Sequence, residues 1–139
     1  MPNDNIVVSL KVPSLAKYGG IVRDAVYGVA LRAGLSVEDS EDLRLAIGEA
    51  FTNAIQYSYE EERADKHVDI ICNTANGQLE VIIKDYGRGF TEEDKPESNK
   101  VGIGLGITFM QSLMDDVRIE SALGKGTSIY MIKKISPKL

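Results

Sequence analysis

The order of the predicted strands and helices constrains the fold of this 139-residue chain more than any other feature. Hydrophobic periodicity and turn signals predict the order βααββαββ. In this order the strands and helices do not alternate one by one, as they would in a doubly wound parallel sheet. We therefore expect an α+β two-layer sandwich, in which a mostly antiparallel mixed sheet is covered on one face by about three helices. Residues 1–139 are long enough for one domain.

Local patterns place the predicted elements. A helix begins at about Leu15 and ends at Gly34, and Ser36 caps a second helix that runs to about Tyr57. Asn76-Gly77 joins two β-rich runs and is a strong hairpin signal. The predicted strands are residues 6–12, 67–73, 79–85, 116–121 and 127–134, and the predicted third helix is 104–114.

Charge and composition exclude several classes of partner. The net charge is −5 and the sequence pI is about 4.9, which argues against a nucleic-acid-binding protein. The acidic segments 58–65 and 92–97 are expected to be solvated. No apolar run approaches the ~20 residues of a membrane span, and no signal peptide is evident. The single Cys72 cannot form an internal disulfide, so we expect a cytoplasmic protein with no membrane partner.

Glycine is concentrated in one part of the chain. Seven of the 13 glycines lie between Gly87 and Gly126. Such a cluster is too focused for random turns, and it indicates backbone that must approach another group closely.

Glu49 and Asn53 are four residues apart, so their side chains point the same way from the predicted second helix. The pair flanks the apolar stripe, and one interpretation is a solvated helix flank. The functional interpretation is a carboxylate base beside an amide oxygen that can bind Mg²⁺. By itself, the pair favours the solvated flank.

Asp85 continues the apolar row of Leu79, Val81 and Ile83 on one face of a predicted strand. A carboxylate at the end of a core-facing row must accept hydrogen bonds, because burying it without them is costly. It either caps the following turn, which contains Gly87 and Gly89, or accepts from a ligand amino group such as the exocyclic amine of adenine. The sequence alone favours neither of these two interpretations.

Two further glycine motifs surround the third helix. Gly102, Gly104 and Gly106 lead into it, and glycine-rich backbone at a helix N-terminus is a ready site for an anion. A flexible hinge and a dinucleotide-binding fingerprint are the other interpretations, but the fingerprint requires a preceding strand. The Gly124–Thr127 segment is predicted to be a hairpin turn, from which Thr127 could also hydrogen-bond a ligand.

The order and spacing of these motifs are more specific than any one of them. The chain reads E-A-x-T-N at 49–53, D-x-G-x-G at 85–89, G-x-G-x-G at 102–106 and G-x-G-T at 124–127. This arrangement resembles the GHKL ATPase superfamily, which uses the Bergerat fold. The segments AIGEAFTNAIQYSYEE and GLGITFMQSLMDDVRIES are similar to those of bacterial anti-sigma-factor serine kinases of the RsbW and SpoIIAB type.

The resemblance implies a role for each motif. Glu49 matches the general base, Asn53 the Mg²⁺ ligand and Asp85 the residue that reads adenine. The turn under adenine corresponds to Gly87 and Gly89, the phosphate-binding backbone to Gly102, Gly104 and Gly106, and the threonine near adenine to Thr127. Residues 90–101 correspond to the ATP lid.

The implied cofactors are ATP or ADP and Mg²⁺, and the implied partners are a sigma factor and an anti-anti-sigma (STAS) protein with a serine acceptor. A homodimer through the first strand and helix is also implied. Two departures from the pattern concern Tyr57, where many relatives have histidine, and Lys100, where some have arginine nearby. A stressosome-type switch kinase and a non-catalytic nucleotide-binding module are the alternatives.

Overall fold

The computed structural model describes residues 5–59, 61–89 and 101–136, and the side chains of 57–58 and 101–105 are outside this description. The described elements follow the predicted order. The strands are β1 (Val7–Ser14), β2 (Arg63–Ala75), β3 (Gln78–Asp85), β4 (Asp116–Ala122) and β5 (Gly126–Lys134). The α-helices are α1 (Gly19–Ala33), α2 (Val37–Asn53) and α3 (Val101–Leu113), with a 3₁₀ turn at Ala16–Tyr18 and a π-helical turn at Ala54–Ser58.

The five strands form one sheet in the order β1-β2-β3-β5-β4. Each described strand pairing is antiparallel, so this sheet is antiparallel throughout rather than mixed. The register places Val68 of β2 and Thr127 of β5 on either side of Asp85 at the end of β3. The predicted α+β sandwich is thereby confirmed.

The helices cover one face of the sheet. Leu79, Val81 and Ile83 of β3 are buried while the residues between them are half-buried, as expected for a strand with one covered face. They pack in one cluster with Leu43 and Ile47 of α2. Burying each such side chain contributes roughly 1.5–3 kcal/mol. Among the described residues, no helix has the length and apolar character needed to cross a membrane.

Caps and turns set the element ends where the sequence predicts them. Ser36 Oγ accepts a hydrogen bond from Asp39 N at 3.0 Å and begins α2. Gly34 ends α1 with φ of 105°. Asn76 and Gly77 have φ of 56° and 75°, which is the conformation of a tight hairpin turn between β2 and β3.

Two element starts differ from the prediction. β2 begins at Arg63, four residues before the predicted start, and Arg63 pairs with Ser14 of β1. The acidic segment 58–65 is therefore only partly a solvated loop. α3 begins at Val101, three residues before the predicted start, so Gly102 lies inside the helix together with Gly104 and Gly106. Packing of α3 against α2 overrides the low helix propensity of glycine there.

Candidate active site

Glu49 and Asn53 lie on α2 and face Gly106 of α3. A Cβ atom added to Gly106 would lie 2.6 Å from Glu49 Oε2 and 2.9 Å from Asn53 Nδ2. Both distances are shorter than van der Waals contact, so glycine at this position lets these two polar groups stay where they are, and a larger residue would displace them. The structure thus brings together residues from two separate sequence motifs.

Asn53 is only 7% exposed, and Glu49 is half-buried. Within the part of the chain that the structure describes, Asn53 Nδ2 is buried without a hydrogen-bond partner. A buried amide group of this kind is costly unless something pairs with it. The interpretation of a solvated helix flank is therefore wrong for Asn53, and a ligand-facing amide fits the observation.

Lys133 holds α2 and α3 in this arrangement. Its Nζ donates to Leu113 O at the end of α3 at 2.5 Å. The same ammonium lies 3.7 Å from carboxylate oxygens of Asp39 and Asp42 at the start of α2. A lysine with 11% side-chain exposure thus ties the far ends of the two helices together, while Gly106 sets their approach near Glu49.

Asp85 is 4% exposed and lies on the helix-covered face, as its position in the apolar row predicts. Its Oδ1 accepts from Gly87 N at 2.9 Å and from Thr127 N at 3.2 Å. These bonds confirm that Asp85 caps the turn, and they also tie the turn to β5. Contact with adenine is a separate role and stays a prediction.

Two glycines allow the backbone to approach closely around Asp85. A Cβ on Gly126, which has φ of 81°, would lie 2.1 Å from Asp85 O. A Cβ on Gly89, which has φ of 67°, would lie 2.1 Å from Ala122 O. Glycine is required at both positions because the backbone is left-handed and another strand end lies against it. The predicted glycine turn therefore packs directly on the β4–β5 turn.

Thr127 is 6% exposed, and its Oγ1 hydrogen-bonds Ser121 Oγ at 2.8 Å. Its side chain and its amide are thus both engaged at the end of the sheet where Asp85 lies. This placement agrees with the predicted hairpin and with the predicted grouping of Thr127 and Asp85.

The remaining predicted site residues are only partly described. Gly102 and Gly104 lie in the first turn of α3, and residues 90–100 of the predicted lid fall outside the described residues. Lys100 is among them. Arg88 is exposed, and its carbonyl accepts from Gly124 N at 2.7 Å.

Sequence reasoning missed Tyr59, which was assigned to a solvated acidic segment. Tyr59 is 7% exposed, and its hydroxyl donates to His67 O and accepts from Tyr86 N, each at 2.7 Å. Burial is the main cause that raises the pKa of this phenol. An aromatic residue directly after a helix and before charged residues is the only sequence signal that could have drawn attention to it.

The site has two chemically distinct parts on the helix-covered face. One part, with Asp85 and Thr127, offers buried polar groups at the sheet end. The other, with Glu49, Asn53 and Gly106, offers a carboxylate and an amide against a helix that begins nearby. Glycine-bounded polar groups beside a helix N-terminus suit an elongated ligand with a flat polar ring and an anionic tail.

The fold and the arrangement of these residues define a GHKL-type ATPase domain. The comparison with protein families agrees: residues 12–133 match the histidine kinase-like ATPase domain. The chain therefore belongs to the histidine kinase-like ATPase domain family.

Its relatives include two enzymes named serine-protein kinase RsbW. The chain is 34% identical to that of Bacillus subtilis, over 98% of this chain and 90% of the relative. It is also 34% identical to that of Bacillus velezensis, over 93% of this chain and 86% of the relative.

Solved structures show the same fold. The RsbU and RsbW domains of a Mycobacterium tuberculosis protein match with a TM-score of 0.72 at 18% identity, covering 94% of this chain and 32% of that one. A histidine kinase domain from Erythrobacter litoralis matches with a TM-score of 0.59 at 24% identity, covering 89% of this chain and 62% of that one. The chain thus spans less than two thirds of either solved chain.

Proposed function

We propose that this protein is an anti-sigma factor and a protein serine kinase. It binds Mg-ATP, sequesters a sigma factor and phosphorylates a serine of an anti-anti-sigma (STAS) protein. The observation that carries the proposal is the approach of Gly106 to Glu49 and Asn53, which gathers a carboxylate and a buried unpaired amide beside the start of α3. The names of the RsbW relatives supply the class of reaction.

ATP spans the two parts of the site. Asp85 accepts from the exocyclic amine of adenine, above the turn of Gly87 and Gly89, and Thr127 lies beside it. The phosphates lie against the first turn of α3, where the unpaired backbone N–H groups and the helix dipole favour negative charge, and Gly102, Gly104 and Gly106 form the helix surface beside them.

Asn53 suits the Mg²⁺ that accompanies ATP. Its buried side chain is a neutral amide with an unpaired polar atom, and an amide oxygen is a hard ligand. Among the described residues, no group of three or more His, Cys, Asp or Glu forms a metal cage, but Mg²⁺ with nucleotides commonly takes only one or two protein ligands. When bound, the ion neutralises charge on the phosphates.

Glu49 acts on the acceptor. As the serine Oγ forms its bond to the γ-phosphorus, the bond from that phosphorus to the bridging oxygen breaks and ADP leaves. The Glu49 carboxylate accepts the hydroxyl proton of the serine. Packing against Gly106 holds this carboxylate in place, and such positioning supplies a large part of the rate of phosphoryl transfer.

The test is transfer of the labelled γ-phosphoryl group of ATP to purified small single-domain anti-anti-sigma proteins. Glu49→Gln keeps the shape of the side chain and removes the base, so we expect transfer to be lost while nucleotide affinity stays within about twofold. Glu41→Gln is the matched control, since Glu41 is an exposed carboxylate on the same helix. Equal transfer by wild type and Glu49→Gln would remove Glu49 as the base.

A pull-down with purified sigma factor, with and without ADP, tests the partner. Retention of sigma factor supports the anti-sigma role, and consistent absence supports a stressosome-type switch kinase. ADP binding without any transfer by the wild-type protein would leave a non-catalytic binding module.

A homodimer through β1 and α1 completes the proposal. β1 is an edge strand of the sheet, and Val7 on β1 and Ile21 on α1 are 73% and 56% exposed. An edge strand can pair with a second copy of the chain, and an exposed large apolar residue on the helix that follows it suits a protein interface. Light scattering of the purified chain should give twice the monomer mass, and a monomer at micromolar concentration would contradict the dimer.

A further inference from the structure

Tyr59 lies where the end of α2 meets β2 and the end of β3. It follows the π-helical turn that extends α2, and its own N–H donates to Ala54 O at 3.1 Å. Its ring is buried, and it lies six residues after Asn53 in the chain. The position of its hydroxyl therefore depends on the position of the end of α2.

The hydroxyl contacts β2 and the residue that directly follows β3. It donates to His67 O on β2 and accepts from Tyr86 N directly after β3, each at 2.7 Å. In the β2–β3 register Val68 pairs with Asp85, so His67 and Tyr86 would form the next pair of the ladder. The Tyr59 hydroxyl takes the place of a direct ladder bond between them. It thus separates the strands immediately after Asp85.

The side chain of Tyr86 is held on the other side. Its hydroxyl donates to Asp69 Oδ2, and its ring lies 4.9 Å from the His67 ring. The backbone at Tyr86 is therefore fixed from two directions. One contact comes from the strand surface, and the other comes from Tyr59 at the end of α2.

We propose that Tyr59 is a positioning residue for nucleotide binding: its hydroxyl ends the β2–β3 ladder at Asp85 and so aims the Asp85 carboxylate relative to the helix that carries Glu49 and Asn53. This inference rests on the proposed nucleotide site. Tyr59 touches no nucleotide itself. Its loss should affect the adenine end of the site and leave the phosphate end unchanged.

The physical reason lies in what remains when the hydroxyl is removed. In Tyr59→Phe, His67 O and Tyr86 N lose their shared partner, and the simplest repair is to bond each other. The β2–β3 ladder then lengthens by one pair. Asp85 moves with it, while Gly106 and the α2 face around Glu49 keep their contacts.

The test compares Tyr59→Phe with wild type in the full chain. We expect the Kd for ADP and the KM for ATP to rise about tenfold, while kcat stays within about twofold of the wild-type value. The reason is that only the orientation of the Asp85 carboxylate toward adenine changes. The preference for ATP over GTP should fall by a similar factor, while inhibition by inorganic tripolyphosphate should not change. A residue with a merely structural role would lower the melting temperature without moving this preference.

Tyr130→Phe is the matched control. Its hydroxyl also bonds within the sheet, to Glu120 at 3.0 Å, but Tyr130 is on the face away from the helices and pairs with Ile82, three residues before Asp85. We expect wild-type constants from it. Unchanged ADP affinity and ATP preference in a folded Tyr59→Phe protein would overturn the inference while leaving the proposed function standing. Failure of the wild-type protein to bind ATP would instead overturn the proposed function.

Amide exchange of the wild-type protein decides the matter if Tyr59→Phe does not fold. Within the described strands Tyr86 N–H has no ladder partner, and it donates to Tyr59 Oη. We expect its exchange to be as slow as that of neighbouring ladder amides and to slow further with ADP. Exchange at the rate of an open loop, unaffected by ADP, would contradict the inference.

Discussion

The substitution Gly106→Ala tests the site with one methyl group. The added Cβ would lie 2.6 Å from Glu49 Oε2, whereas ordinary contact begins at 3.4 Å. The carboxylate must therefore retreat by about 0.8 Å, and Asn53 must also shift because its Nδ2 would lie 2.9 Å away. Both neighbours are ends of flexible side chains, so the fold can absorb the change.

The expected effect separates activity from stability. Misplacement of a catalytic group by about 1 Å costs on the order of 10²-fold in rate. We therefore expect kcat to fall about 30- to 100-fold, which is about 2–3 kcal/mol of activation free energy. Alanine is favoured over glycine in a helix interior by up to about 1 kcal/mol, so the melting temperature should stay the same or rise.

The assay is steady-state phosphoryl transfer from labelled ATP, together with thermal denaturation. Gly28→Ala is the matched control, because Gly28 also lies inside a helix and its added Cβ would meet nothing closer than Arg32 Nη1 at 3.7 Å. The control should keep wild-type kcat. A Gly106→Ala protein with wild-type kcat would refute the assignment of Glu49 and Asn53 to catalysis.

Three other predictions concern stability. Gly126→Ala should lower the free energy of unfolding by about 3–5 kcal/mol, because its Cβ would lie 2.1 Å from Asp85 O. Gly124→Ala is the control: Gly124 also has a left-handed φ, of 78°, but has open space around it, so we expect a loss of only about 1–2 kcal/mol. Equal losses for the two variants in urea denaturation would contradict the contact between Gly126 and Asp85. Lys133→Met should lower the free energy of unfolding by about 1–3 kcal/mol in the same assay, because Leu113 O at the end of α3 loses its hydrogen-bond donor. An unchanged urea midpoint would contradict the proposal that Lys133 joins α2 and α3. The hydrogen bond to a neighbouring carboxylate raises the pKa of Tyr86 to about 12, above the unfolded value of about 10. The stability from neutral Tyr86 is therefore full below pH ~10 and is lost as the pH rises through ~12, so Tyr86→Phe should show a flatter loss between these values, and parallel curves would argue against the effect.

Much of the fold was predictable because local chemistry sets it. The Ser36 cap, the left-handed Gly34 and the Asn76-Gly77 turn are each specified by a few neighbouring residues, and the structure confirms all three. The alternating row that ends at Asp85 likewise predicts its burial. These signals depend on residue type and short spacing alone.

What the sequence could not predict depends on contacts between distant segments. The predicted third helix begins at Gly104, and both its start at Val101 and the contact of Gly106 with Glu49 and Asn53 depend on packing between α3 and α2. Tyr59 looks solvated in the sequence because its partners lie 8 and 27 residues away, and no periodicity indicates a hydroxyl that bridges β2 and the residue after β3. The burial of Asn53 has the same origin, since it comes from packing and not from its place beside the apolar stripe.

Binding of Mg-ATP by the Asp85 site is the central claim, and calorimetry of Asp85→Asn measures it most directly. Asparagine keeps an acceptor oxygen for Gly87 N and Thr127 N, so the turn and the melting temperature should be preserved. The carboxylate that would receive the adenine amine is gone, so we expect wild type to bind ATP and the variant to show no measurable heat of binding. Equal affinity in the two proteins would contradict the claim and leave Asp85 as a turn cap.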